Sequence, residues 1–113
     1  IVFKLIYGQT TFLFMGDAEK EVEEELLASG VPLGADVLKV GHHGSSDATS
    51  EEFLKIVSPR FAVIEVGRGN DFGHPSGRVI KRLERFGAKI LRTDLEGTIR
   101  LLSDGENIKF QGI

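Results

Sequence analysis

Apolar residues in this chain come in two rhythms, short β-rich runs and repeats every three to four positions, and the change from one to the other predicts the elements. Residues 2–7 and 10–15 are β-rich runs separated by Gly8-Gln9, the pattern of a hairpin. Residues 18–29 space Ala18, Val22 and Leu26 four apart with glutamates on the other sides, which predicts a short acidic surface helix closed by Gly30 in a left-handed conformation. Asp17 stands where the N-cap of that helix belongs, so capping is the plain structural reading of its carboxylate. Val31-Pro32-Leu33-Gly34 turns the chain into a buried strand over residues 37–40. Further on, Thr49-Ser50-Glu51-Glu52 has the threonine-x-x-glutamate form of a capping box, followed by Phe53, Ile56 and Val57 on one helical face and by Pro59 as the stop. Residues 61–66 are apolar except for Glu65, as in a strand covered on both faces. A glycine-rich polar loop over residues 67–75 leads to a third helix that begins with Ser76 as cap, buries Val79, Ile80, Leu83 and Phe86, and ends at Gly87. Residues 89–92 make another short strand, and 98–102 with 107–110 a closing hairpin. The order predicts an α/β fold, a mixed sheet with about three helices and a C-terminal β-hairpin.

A length of 113 residues suits one domain with a core of moderate size. No apolar run approaches the ~20 residues of a membrane helix, and the balance of 41% hydrophobic to 27% charged residues is that of a soluble segment with no membrane contact of its own. The chain lacks cysteine, so any metal here is held by histidine and carboxylate. It opens at Ile1 inside a predicted strand, without initiator methionine or signal segment, and the expectation is a piece of a longer protein. The net charge of -3 gives no overall electrostatic reason to bind nucleic acid. Its distribution is uneven: six acids and one base lie between Asp17 and Glu25, whereas Arg60 to Arg92 holds eight bases against three acids. An anionic substrate would meet the second region; the bland alternative is that these residues line the solvated faces of helices.

Candidate chemistry collects where predicted strands end. Gly16-Asp17 follows the second run, Gly41-His42-His43-Gly44 follows the third, and Gly73-His74-Pro75 closes the loop after the fourth. In a layered α/β fold, strands running the same way bring such junctions to one edge of the sheet. One carboxylate and three imidazoles there match a divalent metal bound by oxygen and nitrogen, such as zinc or manganese. The alternatives are a polar loop that happens to contain histidine, and a loop histidine held before a proline for His74.

Three motifs carry a resemblance. Phe12-Leu13-Phe14-Met15-Gly16-Asp17-Ala18-Glu19, Leu38-Lys39-Val40-Gly41-His42-His43-Gly44-Ser45 and Asn70-Asp71-Phe72-Gly73-His74-Pro75 look like the C-terminal half of a metallo-β-lactamase-fold hydrolase. The likeness is greatest to the domain at the C-terminal end of ComEC-type DNA-internalisation competence proteins, and it runs over residues 7–108. It implies that residues 1–113 are the C-terminal part of that domain, half of a four-layer αββα sandwich, with a two-metal phosphodiesterase site in the full domain. By the resemblance, Asp17 would bridge both metals, zinc or manganese, and His42 would bind the second. His43 would be a ligand in its place or a catalytic group contacting substrate. His74 would lie beside the metals, binding the scissile phosphate or assisting the leaving oxygen. The implied partner is DNA, with degradation of the strand that is not imported as the role, in a parent protein anchored in the bacterial cytoplasmic membrane.

The family's first metal motif, of the form H-x-[HD]-x-D-H, lies N-terminal to the Asp17 strand and has no counterpart here, where His42, His43 and His74 are the three histidines. The expectation is therefore an incomplete site: alone, the chain binds metal weakly and does not catalyse. Without the N-terminal half of the domain, it would expose a sheet face and self-associate as a homodimer. Two other functional readings keep their place. One is a stand-alone metallo-β-lactamase-fold hydrolase with another ester or phosphoester substrate. The other is a non-catalytic binding domain in which Asp17 caps a helix and the histidines are loop residues.

Overall fold

The computed structural model describes residues 1–70 and 73–111. Five strands, β1 (Phe3–Tyr7), β2 (Thr10–Phe14), β3 (Val37–Lys39), β4 (Phe61–Ile64) and β5 (Lys89–Arg92), pair in chain order. β1 and β2 form the expected antiparallel hairpin, and β2 to β5 run parallel. A helix crosses over at each parallel step: α1 (Lys20–Ser29), α2 (Glu51–Val57) and α3 (Gly77–Arg85). Parallel crossovers are right-handed, so strands laid down in sequence put all three helices on one face. Strand alternation does the rest. Leu13, Leu38, Ala62 and Ile64 point to that face and join Phe53, Leu54 and Val57 of α2 with Val79 and Leu83 of α3 in one buried cluster. The fold is thus α/β with a mixed sheet, and it ends in an antiparallel hairpin of β6 (Arg100–Ser103) and β7 (Ile108–Gln111). The single-turn helix α4 (Thr93–Glu96) is too short for periodicity to announce. No helix among the described residues is long and apolar enough to cross a membrane.

On the opposite face, the strand register lines up Phe12, Val37 and Phe61, and beside them Phe14, Lys39, Val63 and Leu91. The closing hairpin lies over part of this face: Val37, Leu91 and Ile108 are buried, and a cavity of about 230 Å³ remains between Phe12, Phe14, Val37, Val63, Ile99 and Leu101. The tips of the two hairpins are tied together. Gln9 N–H donates to the Gly105 carbonyl at 2.6 Å, and the Thr10 and Ser103 hydroxyls share a hydrogen bond of 2.7 Å. Gly8 is required there, because a Cβ would stand 2.4 Å from the Gly105 oxygen. The cover stops short of β1, where Phe3, Leu5 and Tyr7, on the same face, remain 52%, 51% and 56% exposed. Phe3 finds one partner by stacking on Phe14, with ring centres 4.6 Å apart.

Two helix starts differ from the pattern, and one buried carboxylate explains one of them. α1 begins at Lys20 with Glu19 as N-cap and no side-chain cap bond, so Asp17 does not cap it. α2 is capped by Ser50, whose hydroxyl accepts from Phe53 N–H, rather than by Thr49. Thr49 instead takes a left-handed φ of 61° and is buried. Its amide and that of Ser50 donate to the carboxylate of Glu23, at 2.5 Å and 2.9 Å, and Glu23 is 1% exposed. The helix expected to carry all its glutamates at the surface turns one inward, where the positive end of α2 receives it. From the other side, Arg82 of α3 donates to the Thr49 carbonyl at 2.7 Å.

Replacing Glu23 with alanine leaves one buried and one partly buried amide without an acceptor, so Glu23→Ala is expected to cost about 2–4 kcal/mol and Glu23→Gln, which keeps one acceptor, about half as much. Urea denaturation followed by circular dichroism measures both. A loss below about 1 kcal/mol for the alanine variant would show that water replaces the carboxylate.

Candidate functional site

Parallel order brings the C-terminal ends of β2, β3 and β4 to one edge of the sheet. Asp17 follows β2, His42 and His43 follow β3, and the segment with Glu65 and His74 follows β4. Backbone hydrogen bonds knit these junctions together. His42 N–H donates to the Gly16 carbonyl and Ser76 N–H to the Gly44 carbonyl, both at 2.8 Å. Thr93, beyond β5, clasps Val66 by accepting from its amide at 2.8 Å and donating to its carbonyl at 2.9 Å.

The turn Gly41–Gly44 sets the direction of both rings, with φ of 48° at His42 and 55° at His43. Gly44 continues the left-handed path at 82°, and a Cβ there would lie 2.6 Å from Cβ of Pro75, so this glycine lets the β3 and β4 loops touch. His43 Nδ1 is 2.6 Å from the Glu65 carbonyl oxygen. A carbonyl only accepts, so in the neutral ring Nδ1 holds the proton and Nε2 holds a lone pair. That Nε2 lies 3.7 Å from Asp17 Oδ1, which means two acceptors face each other across a gap that suits a cation.

His42 has different company. Its Nδ1 is buried without a hydrogen-bond partner and stands 3.6 Å from Glu19 Oε2, beyond hydrogen-bond length. Its ring centre lies 5.9 Å from that of His74 and 6.3 Å from that of His43. Asn70 holds the His74 backbone at both ends, accepting from its N–H at 3.1 Å and donating to its carbonyl at 2.7 Å. Asp71 and Phe72 of the same predicted loop lie outside the described residues.

All four residues singled out by sequence therefore sit on one edge, and Asp17 is brought to His43 rather than to His42. Sequence reasoning passed over Glu19 and Asn70, whose signals were their places inside two of the quoted motifs. It also passed over Glu65, which acts through a backbone oxygen and leaves no signal in its side chain. Among the described residues no three histidines, aspartates or glutamates converge on a point that would hold an ion. Asp17 and His43 offer two donors, one short of the protein set of a catalytic zinc, so these residues alone do not fit a complete metal centre.

The chain is 43% identical over 93 residues to ComE operon protein 3 of Bacillus subtilis, a match covering 82% of this chain and 12% of that protein. It is 39% identical over 100 residues to competence protein ComA of Neisseria gonorrhoeae, covering 88% of this chain and 14% of the relative. With recombination protein 2 of Haemophilus influenzae it shares 39% identity over 95 residues, 83% of this chain and 12% of the relative. These relatives support a competence-protein family. The chain spans 12% to 14% of the length of these curated relatives. No family model matches it, and neither does any solved structure.

The hydrogen bond to Glu65 makes a spectroscopic prediction about His43. In long-range proton–nitrogen correlation spectra of the neutral ring, Nδ1 is expected to carry the proton and Nε2 to resonate as an unprotonated nitrogen. An Nε2–H tautomer would overturn this account of the Asp17–His43 gap.

Proposed function

We propose, from the kinship of this chain with competence proteins, that it is part of a metal-dependent phosphodiesterase, a nuclease-like domain of a DNA-uptake protein, completed by residues from outside this sequence. The observation that carries the reading is the Asp17 carboxylate facing the His43 Nε2 lone pair at 3.7 Å, at the edge where parallel strands end. In this reading Asp17 and His43 are donors to zinc or manganese. The Glu65 carbonyl orients the His43 ring through Nδ1–H, as backbone oxygens commonly do for metal-bound imidazoles. His42 takes the neighbouring position, and His74, close to its ring, lies toward the phosphate of a bound DNA strand. The competing account of Asp17 as a helix cap loses its support, because Glu19 occupies the N-cap and makes no side-chain bond there. The half-exposed Phe3, Leu5 and Tyr7 favour a missing partner on the open sheet face, and in its absence a second copy of the chain.

Calorimetry with zinc and manganese tests the site on this chain and on one extended upstream by about 100–150 residues, a further domain length. Two tightly bound ions and DNA cleavage are expected only in the longer chain, both lost in Asp17→Ala, with His43→Ala weakening metal binding more than His42→Ala. Metal-dependent cleavage by the short chain, abolished by Asp17→Ala, would overturn its incompleteness. Absence of binding in both chains would overturn the hydrolase reading.

Sedimentation velocity tests the open face. The chain is expected to self-associate at micromolar concentration, and Leu5→Glu to shift it toward monomer. A wild-type chain that stays monomeric across that range would remove the case for a sheet-face partner.

A further inference from the structure

We infer that the outward face of α3 is a phosphate-backbone track that leads a nucleic-acid strand away from the histidine edge. The inference rests on the DNA reading above and adds the surface on which the strand lies. α3 buries Val79 and Leu83, and the three- and four-residue spacing of Arg78, Lys81, Arg82 and Arg85 sets these bases in one stripe away from the core. With Glu84 they line a shallow, open groove of about 710 Å³.

Two of the four bases are committed inside the molecule. Arg82 donates to the Ala48 and Thr49 carbonyls, and Arg85 pairs with Glu51. The side chains of Arg78 and Lys81 are exposed and make no ion pair or hydrogen bond with the described residues. Their placement is what separates them from ordinary surface bases. Arg78 lies in the first turn of α3, where the helix macrodipole favours acids, and that turn holds none. Helix end and guanidinium therefore add up to one positive field. It stands beside the candidate site, because Ser76, the cap of α3, is bonded to Gly44 of the histidine turn at 2.8 Å.

The surroundings bias a polyanion toward α3. On the α1 and α2 side of the site, a cleft is lined by Glu19, Glu21, Asp47, Glu51 and Glu52 against the bases Lys20 and Arg82, an excess of acid that disfavours phosphate. From Arg78 to Arg85 the helix rises about 10 Å at 1.5 Å per residue. That length is enough for more than one backbone phosphate of a strand laid along the stripe. An anionic membrane would also meet positive charge here, but the outward stripe carries no aromatic or leucine side chain to enter a bilayer; Val79 and Leu83 are buried and Ile80 packs on the core.

Fluorescence anisotropy of a labelled single-stranded oligonucleotide, titrated with this chain over a range of salt in the presence of EDTA, tests the track. Each phosphate contact contributes a slope of about 0.7 in log affinity against log salt, so the double variant Arg78→Ala/Lys81→Ala is expected to lower the slope by about 1.4 and weaken binding severalfold at low salt. Arg78→Lys/Lys81→Arg keeps both charges and is expected to restore the slope. Lys55→Ala/Lys109→Ala removes the same charge from exposed positions on α2 and β7 and is expected to leave the slope within about 0.3 of wild type. An equal fall in that control, no binding by the wild-type chain, or stripe-dependent binding to phosphatidylserine vesicles without oligonucleotide binding would each overturn the inference. Because EDTA is present, failure of the metal reading leaves this result standing. Loss of the stripe effect alongside tight metal binding in the longer chain would remove the track alone.

Discussion

At the end of β3 the backbone enters the left-handed region for three residues, His42 at 48°, His43 at 55° and Gly44 at 82°, and the shape of the whole edge follows from what holds it there. A non-glycine residue in that region costs about 1–3 kcal/mol, and two stand in succession. Four hydrogen bonds answer them: His42 N–H to Gly16, Ser45 N–H to His42, Ser76 N–H to Gly44, and His43 Nδ1–H to Glu65. At about 1 kcal/mol each, their sum is of the same order as the strain. Three of the four reach into the β2 and β4 loops, so the turn is held by its neighbours and in turn locks them together. The strained path aims one imidazole at Asp17 and the other toward His74, which a relaxed extended exit from β3 would not do.

The same connection is gripped again at its far end, around Thr49. Glu23 receives the Thr49 amide from the α1 side while Arg82 donates to the Thr49 carbonyl from the α3 side. One peptide unit is thus bracketed by an acid at its donor and a base at its acceptor, each matching the local polarity. Neither side chain needs the other as an ion-pair partner; both spend their charge on backbone. The consequence is mechanical. The packing of α1 and α3 on the sheet is transmitted to the residues that link the histidine turn to α2, so the core helps to position the edge.

Much of this was legible in the sequence where one physical rule acts alone. Short β-rich apolar runs marked the strands, Gly30 ends α1 at φ 74°, and Ser76 caps α3 as its position implied. The convergence of Asp17, His42, His43 and His74 follows from parallel topology, which the strand and helix order already contained. Legibility failed where two rules compete or where the partner is backbone. Asp17 has the chemistry of a cap, yet the Ala18 amide closes a tight turn on Met15 and delays α1 to Lys20. Thr49 and Ser50 are equally good caps on paper, and Glu23 decides between them by taking the Thr49 amide. Glu23 itself sits among glutamates that face water, and nothing in a helical period distinguishes the one whose acceptor role lies 26 residues away. The choice of His43 over His42 as the neighbour of Asp17 rests on a carbonyl oxygen, which no residue type encodes.

The open sheet face and the two-donor site are linked by the geometry of a single strand. β2 sends Leu13 to the helices and Phe12 and Phe14 to the opposite face, and Asp17 follows Phe14 by three residues. Three residues span at most about 10 Å, so the backbone of Asp17 stands within that distance of the backbone of Phe14. Parallel strands are normally buried on both faces, and the closing hairpin covers this one only as far as Ile99 and Leu101. The apolar area left around Phe3 and Leu5 and the Asp17–His43 pair lie at neighbouring places on the sheet, which one covering element can reach together. In the proposed hydrolase, closing the sheet and completing the site would then be one event.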